Sequence, residues 1–350
     1  MDSKRRKPPA SILEIASAAG VSPATVSRAF NRPELLSAAT RQHVLDIAEQ
    51  HNFSPDRLGS SLRSGNTRTL GLVLPTLSNP VFADCFEGAE KRARQSGYSM
   101  MMTVTHYDPA LEAAAVQRLA GHRLEGIILT VSDARNSVVL NTLKSSGMAC
   151  VLAYNECPTM SCAAVDNRAA AHDMVVYLAS LGHKRIAFLS GPLDLSDRAR
   201  SRLKGARDTA KRLKLHSVTH HVMSTHTTAN SAIVTALLRG ADRPSALFCS
   251  NDLLAMDVIS TLQELGVRVP DDISVAGFDG IRYGTCMSPT LTSIEAPGFE
   301  IGRAACHLLL EQIEHGSAAS IQVPHRLVRG ASAAAFLANA DHHNEKITPC

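Results

Sequence analysis

No run of about 18 consecutive apolar residues occurs in this 350-residue chain, so the sequence carries no membrane span. The N-terminus is charged but has no apolar segment behind it, which excludes a secretory signal. Eight cysteines are scattered at positions 85, 150, 157, 162, 249, 286, 306 and 350, with no Cys-x-x-Cys among them. They read as reduced, mostly buried thiols of a cytoplasmic protein rather than a disulfide framework or a zinc site. A Gly-x-Gly-x-x-Gly turn is missing too: the first strand-to-helix turn reads PTLSNPVF. There is no Walker A loop, no Gly-x-Ser-x-Gly elbow and no metal-ligand spacing. The expectation is therefore no catalytic residue, no cofactor and no metal. The His-rich stretch HSVTHHVMSTH, 216–226, alternates in polarity and reads as a surface strand.

What is present begins with GVSPATVSRAFN, residues 20–31. Ser22 is a good N-cap and Pro23 fits the first helical position, where no N–H is needed. Val26, Ala29 and Phe30 are placed to be buried, and Thr25, Ser27 and Arg28 to face out. Alone, this fits any small surface helix. Upstream, SILEIASAAG reads as another short helix with Ser11 and Glu14 as a capping box, and Gly20 breaks it into a tight turn. Two short helices joined in this way make a helix-turn-helix, whose second helix can enter a DNA major groove. A third helix, about 38–51, is capped by Ser37 and has Val44, Leu45, Ile47 and Ala48 on its apolar side.

Charge supports that reading. Residues 1–68 contain ten Lys/Arg and six Asp/Glu, a net +4 that equals the formal charge of the whole chain. A cationic headpiece on a neutral body suits a polyanionic partner, although KRRK at 4–7 by itself also fits a solvated tail.

The length calls for two or three domains. After residue 68, apolar strand-like runs alternate with amphipathic helices. TLGLVLP, EGIILTVS, ACVLAYN, RIAFLSG, ALFCSN and ISVAGFDG are each followed by a helical pattern, in two units of about 100 and 130 residues. Strands this apolar belong to parallel sheets covered on both faces. Such sheets bind ligands beyond their strand C-termini. Those ends carry Ser78, Asn79, Asp133, Tyr154, Asn155, Gly191, Asn251, Asp252 and Asp279, with Arg202 in the helix after RIAFLSG.

ILEIASAAGVSPATVSRAFN resembles the headpiece of the lactose-repressor (LacI/GalR) family of bacterial transcription regulators. SPDRLGSSLRSGNTRTLGLVLP, SNPVF, VDNRAAA, LGHKRIAFLSGP, RLKG, SNDLLAMDVISTLQELGVRVPDDISVAGFDG and RLVRGAS resemble later family signatures in the same order, spanning residues 11–332. The resemblance implies an all-α helix-turn-helix headpiece plus an α/β periplasmic-binding-protein-like core of two Rossmann-like subdomains. The implied limits are a headpiece at 1–54, a hinge helix and linker at 55–68, a core at 69–338 and a flexible tail at 339–350. Within the core, the N-subdomain takes about 69–164 and 296–322, and the C-subdomain about 165–293 and 323–338.

It also implies a homodimeric repressor of double-stranded operator DNA, controlled by a small effector such as a sugar or sugar acid. Pro23, Ala24 and Arg28 occupy base-reading positions, and Arg28 alone can grip guanine O6 and N7 bidentately. Ser22, Thr25, Ser27 and Asn31 match phosphate-contacting or positioning residues. Leu62 matches a leucine that wedges into the minor groove. Asn79, Phe82, Asp133, Asn155, Arg202, Asn251 and Asp279 match effector-pocket positions, and Asn251 with Asp252 also fits a simple helix cap. The chain departs from the family at Gly59-Ser60, where Ala-Arg is common, and at Tyr154-Asn155, where Asp-Arg is usual. The tail NADHHNEKITPC lacks heptads, which favours a dimer over a tetramer. A small-molecule-binding or sugar-processing protein of Rossmann-like fold, without a specific operator, is the alternative.

Overall fold

The computed structural model describes residues 10–53, 67–216, 218–240, 242–317 and 319–336. The expectations for KRRK, for Leu62 with most of the hinge, and for the 339–350 tail lie outside those residues. The chain divides between Thr67 and Arg68 into two compact units.

In the first unit, α1 (Ile12–Ala18), α2 (Pro23–Asn31) and α3 (Ala38–Gln50) enclose one small core. Each helix begins on a local side-chain cap. The Ser11 hydroxyl accepts from Glu14 N–H while the Glu14 carboxylate accepts from Ser11 N–H at 2.5 Å. Ser22 and Ser37 cap α2 and α3 through Thr25 N–H and Thr40 N–H, each at 3.1 Å. Gly20, at φ +66°, makes the left-handed turn between α1 and α2 that a side chain would resist. Ile15, Val26, Ala29 and Val44 are buried together, and Phe30 meets Phe53 edge to face at 5.9 Å. The His43 ring contacts the Ala19 carbonyl at 3.2 Å, tying α3 to the end of α1.

The second unit contains two six-stranded sheets. The first has the order β11-β5-β4-β3-β1-β2, from β1 (Thr69–Leu74), β2 (Ser99–Val104), β3 (Gly126–Leu129), β4 (Ala149–Ala153), β5 (Cys162–Ala164) and β11 (Ile321–Gln322). The second has the order β12-β10-β9-β8-β6-β7, from β6 (Ile186–Ser190), β7 (Thr219–Val222), β8 (Ala246–Cys249), β9 (Ser274–Asp279), β10 (Thr292–Glu295) and β12 (Arg326–Val328). Every pairing is parallel except β10 with β12. That exception, and the short β5, β10 and β11, differ from the simple strand–helix alternation expected from sequence. Strands of two to four residues are too short to show a period of two.

The helices are α4 (Pro80–Gln95), α5 (Pro109–Ala120), α6 (Val138–Ser146), α7 (Asn167–Ser180), α8 (Asp197–Arg212), α9 (Ser231–Arg239), α10 (Asp252–Glu264), the single turn α11 (Tyr283–Cys286) and α12 (Gly298–His315). The backbone passes from one sheet to the other three times: between β5 and α7, between β10 and α12, and between β11 and β12. The late helix α12 thus returns to cover the first sheet, packing on α4, β4 and β5. Strand centres such as Leu72, Ile128, Phe188, Phe248 and Phe278 are fully buried, as parallel sheets covered on both faces require.

The α4–α12 contact is unusually close. A methyl at Gly88 would overlap the Phe299 carbonyl, and one at Gly302 the Cys85 carbonyl. Alanine gains about 1 kcal/mol over glycine in a helix interior, whereas overpacking costs about 1–3 kcal/mol. Here the obstacle is backbone, which cannot rotate away, so the cost wins. Gly88→Ala and Gly302→Ala should each lower the urea midpoint of the core, by about 1–2 kcal/mol of unfolding free energy. An unchanged midpoint would show that the two helices can separate freely.

Candidate functional site

On α2, Val26 and Ala29 point into the headpiece core, which leaves Pro23, Ala24 and Arg28 exposed on the opposite side and Ser27 half-buried. The Ser22 hydroxyl both caps the helix and lies 2.9 Å from the Thr25 hydroxyl, so these two side chains hold the helix start in place. Arg28 sits in the last turn and forms no ion pair among the described residues. Asn31 ends the helix, but its side chain, like Leu62, is outside the described residues.

The second site lies between the two sheets, where the C-terminal ends of both sets of strands face each other. Asn79, after β1, donates from Nδ2 to Asp279 Oδ2 at 2.7 Å; Asp279 ends β9 in the other sheet. The start of α8 reaches across to the loop after β3. Asp197 N–H donates to the Ser132 carbonyl at 2.9 Å, and its carboxylate accepts from Ala134 N–H at 3.0 Å and from Asn155 Nδ2 at 2.8 Å. Arg198 Nη1 donates to the Val131 carbonyl at 2.9 Å, and Arg200 pairs with Asp133 at 2.9 Å. The rings of Tyr107 and His226 meet across the same gap at 4.3 Å. The cleft is therefore shut on itself, and its cavity holds about 30 Å³. That is room for about one water, against roughly 300–1,000 Å³ for a small-molecule pocket.

Buried charge distinguishes this cavity. Arg202, 7% exposed, lies 3.4 Å from the centre of the Phe278 ring, donates from Nε to Asn167 Oδ1 at 2.8 Å and faces Asp279 at 3.9 Å. Burial pulls its pKa down to about 10, with Asp279 acting against that shift, so the guanidinium keeps its charge at neutral pH. Burial raises the Asp279 carboxyl, while Arg202, the Asn79 hydrogen bond and Arg198 oppose the rise. Next to them, Asp252 is fully buried and accepts from Ile281 N–H at 2.8 Å and from the Ser293 hydroxyl. Burial and the nearby Asp279 push its carboxyl well above the usual range. Tyr107, Tyr154 and Asp279 all line the cavity at positive φ (+61°, +68° and +114°). Such backbone costs about 1–3 kcal/mol per residue and clusters at functional sites.

Five of the seven sequence-predicted pocket residues line this cavity: Asn79, Phe82, Arg202, Asn251 and Asp279. Asn251 is also the N-cap of α10, accepting from Leu254 N–H at 2.9 Å. Asp133 and Asn155 do not line it. Asp133 lies at the rim, held by Arg200, and Asn155 is fully buried, bridging Val131 and Asp197. Sequence reasoning missed Tyr107, Ser196, Arg198 and His226, and it left Tyr154 unassigned. Ser196 carried a usable signal, since it caps α8 through Ala199 N–H. His226 lies past the end of β7 and is buried, unlike the surface strand expected around it. Among the described residues, no cluster of His, Cys, Asp and Glu could hold a metal ion, and no helix is long and apolar enough to cross a membrane. A larger groove of about 590 Å³ runs along α7 and α8 past Arg168, His172 and Lys211. It is open and its charged groups, Arg168, Asp208, Lys211 and Arg212, are exposed, so the converging buried groups single out the cleft.

Comparison with known proteins matches each of the two units to a family. Residues 67–331 match the family described as "Periplasmic binding proteins and sugar binding domain of LacI family", and residues 11–56 match "Bacterial regulatory proteins, lacI family". Catabolite control protein A of Priestia megaterium is 31% identical over 325 residues, covering 90% of this chain and 97% of that protein. The HTH-type transcriptional repressor PurR of Aliivibrio salmonicida is 30% identical over 309 residues, covering 87% and 92%. The crystal structure of the lac repressor dimer bound to operator and the anti-inducer ONPF superposes with a TM-score of 0.83 at 25% identity, covering 93% of this chain and all of that one.

The buried His226 gives a pH test. Desolvation, then Arg198, lower its pKa from 6.5 to about 4, with Asp194 opposing. The unfolded chain therefore binds a proton between pH 6.5 and 4 that the folded core refuses, and stability falls as pH drops through that window. The loss attributable to His226 is at most about 3 kcal/mol. His183, His220 and His221 are shifted down by burial as well, so the informative quantity is a difference. His226→Gln should flatten the unfolding free energy of the core between pH 6.5 and 4 relative to wild type. Parallel curves would mean that His226 titrates normally in the folded core.

Proposed function

Because the chain belongs to the LacI family and is a DNA-binding transcriptional repressor with an effector-binding domain, we propose that it acts as a homodimer whose grip on a two-half-site operator is set by a small hydroxylated molecule held in the cleft. The observation that carries this reading is the convergence of buried Arg202, Asp279 and Asn79 on a cavity crossed by hydrogen bonds from both subdomains. A ligand in that place must replace those bonds, so it biases the angle between the subdomains. Typical couplings of this kind are about 1–3 kcal/mol. The dimer assignment draws on the lac repressor, which is a dimer on its operator. The domain limits expected from sequence, and a cytoplasmic location, complete the proposal.

In the headpiece, Arg28 is assigned to base reading, with apolar contacts from Pro23 and Ala24. Ser22, Thr25, Ser27 and Asn31 are assigned to the phosphates. Leu62 is assigned to the minor groove at the hinge. In the core, Asn79, Phe82, Arg202, Asn251 and Asp279 are assigned to direct effector contact. Asn155 and Asp133 are assigned to closure, through Asp197 and Arg200.

Selection of bound fragments from random duplex DNA at fixed salt tests the reading. A near-palindrome of two half-sites should be enriched. Arg28→Ala should then weaken binding to that site by about 1–3 kcal/mol, roughly five- to 150-fold, with preference relaxed at one base pair per half-site. Salt-sensitive binding without any enriched sequence would overturn the operator reading.

A further inference from the structure

Among the described residues, two buried side-chain polar atoms lack any hydrogen-bond partner: Arg198 Nη2 and His226 Nε2. Both residues line the cleft cavity. Arg198 is 5% exposed and His226 9%. A buried polar atom left unpaired costs about 1–3 kcal/mol, so two beside one cavity call for an explanation. Both side chains are held in place by their other contacts. The guanidinium is fixed through Nη1 on the Val131 carbonyl, and the imidazole lies against the Tyr107 ring, tilted by 39° with centroids 4.3 Å apart.

Building on the cleft as effector site, we propose that the effector carries a carboxylate, received by Arg198 Nη2 and His226 Nε2, while its hydroxyls turn toward Asp279 and Asn79. Arginine only donates, and imidazole Nε2 donates in one of its neutral tautomers. A carboxylate only accepts, so it satisfies both atoms and brings no proton of its own. A single sugar hydroxyl answers both atoms only in the other tautomer, where Nε2 accepts, so the charge of the wall is what favours the carboxylate. Charge narrows the class. Arg198 lies 3.5 Å from Asp197, and Arg202 lies 3.9 Å from Asp279. The Asp197 carboxylate is already held by Ala134 N–H and Asn155, and Asp279 by Asn79. Of these four groups only Arg198, Arg202 and Asp279 line the cavity, so its wall carries a formal +1 that one added negative charge cancels. A phosphate brings about −1.5 to −2 charges and three acceptor oxygens, more than two orphan donors satisfy. The depressed pKa of His226 keeps it neutral, so the added charge rests on Arg198. Phe82, Tyr107 and Tyr154 supply the walls for a carbon skeleton.

The test uses the full chain, titrated by calorimetry and thermal shift with three probe series: gluconate and galactonate, their neutral sugars glucose and galactose, and glucose 6-phosphate. In the wild type, at least one acid should bind tenfold or more tighter than its neutral sugar and than the phosphate. Arg198→Gln should cost the acid about 10- to 150-fold, the range for a hydrogen bond to a charged group, and cost the neutral sugar less than it costs the acid. His226→Gln, whose amide can still donate, should retain most of the acid affinity, and His226→Phe should not. Circular dichroism confirms that each variant is folded. Equal or tighter binding of the neutral sugars, a preference for the phosphate, an Arg198→Gln variant that keeps its acid affinity, or no binding in any series overturns the proposal. Operator affinity, measured in parallel, separates the two readings. Arg198-dependent acid binding that leaves operator affinity unchanged sinks the effector reading and keeps the carboxylate. Neutral sugars that alone bind and shift operator affinity do the reverse.

Discussion

Two guanidinium groups and one carboxylate line a cavity with room for about a single water, and a second carboxylate, Asp197, stands 3.5 Å from one of the guanidinium groups. That crowding is the constraint on which the rest of the core depends. Isolated charges in so dry a place would be prohibitive, and breaking one buried pair typically costs about 3–5 kcal/mol. Every nearby element is placed to keep the charges answered. Asn167 at the start of α7, the Phe278 ring in β9 and the Ser250 carbonyl after β8 hold Arg202. Asn79, from the opposite sheet, holds Asp279. The closed cleft follows from this: when the subdomains separate, Asp279, Asp197 and Arg198 each lose a partner on the far side.

The same constraint explains why such a core can act as a switch. The subdomains are joined by three backbone passages and by a small set of cross-cleft hydrogen bonds, each worth about 0.5–1.5 kcal/mol net. A ligand that satisfies the same charges from within can replace those bonds at little net cost, so two arrangements lie within reach of one another. β1 carries the consequence along the chain. It begins at Thr69, directly after the segment that leads from the headpiece, and it ends just before the turn that presents Asn79 to Asp279. One short strand therefore joins the cleft to the end of the core nearest, in sequence, to the DNA-binding unit.

How much of this was legible in the sequence depended on the range of the interaction. Helix starts were readable where the cap is local: Ser11 with Glu14, Ser22 with Thr25 and Ser37 with Thr40 are contacts over three residues. The start of α4 carries a signal as local: Asn79-Pro80, a capping side chain followed by a proline at the first helical position. Long apolar strands were readable because both faces are buried, whereas the three-residue β5 and two-residue β11 exist only because a neighbour is there to pair with. Within the site, Asn79 and Asp279 could be placed because strand ends are where such sheets bind ligands. Arg198 could not. α8 carries arginines at 198, 200, 202, 207 and 212, and composition does not say which are swallowed by the cleft. Burial of Arg198 and Arg202 beside exposed Arg207 and Arg212 is set by how the helix is rotated against β6 and by what closes over it.

The Tyr154-Asn155 pair shows how closure and recognition divide. By resemblance, relatives place an acid and an arginine here, which would put charge at the end of β4. In this chain Tyr154 donates to the Val81 carbonyl at 2.7 Å and packs edge to face on Phe82 at 5.1 Å, so it builds a wall. Asn155, with no exposed surface, grips Val131 on one side and Asp197 on the other, so it builds the latch. Neither brings charge to the cavity. The N-subdomain then contributes shape and neutral hydrogen-bonding groups to the cavity, through Asn79, Phe82, Tyr107 and Tyr154. The formal charges come from the C-subdomain, through Arg198, Arg202 and Asp279. A charged ligand would therefore seat first on the C-subdomain and be covered by the other. Asn155 serves closure alone, whereas Arg198 serves closure through Nη1 on the Val131 carbonyl and keeps Nη2 for the proposed ligand.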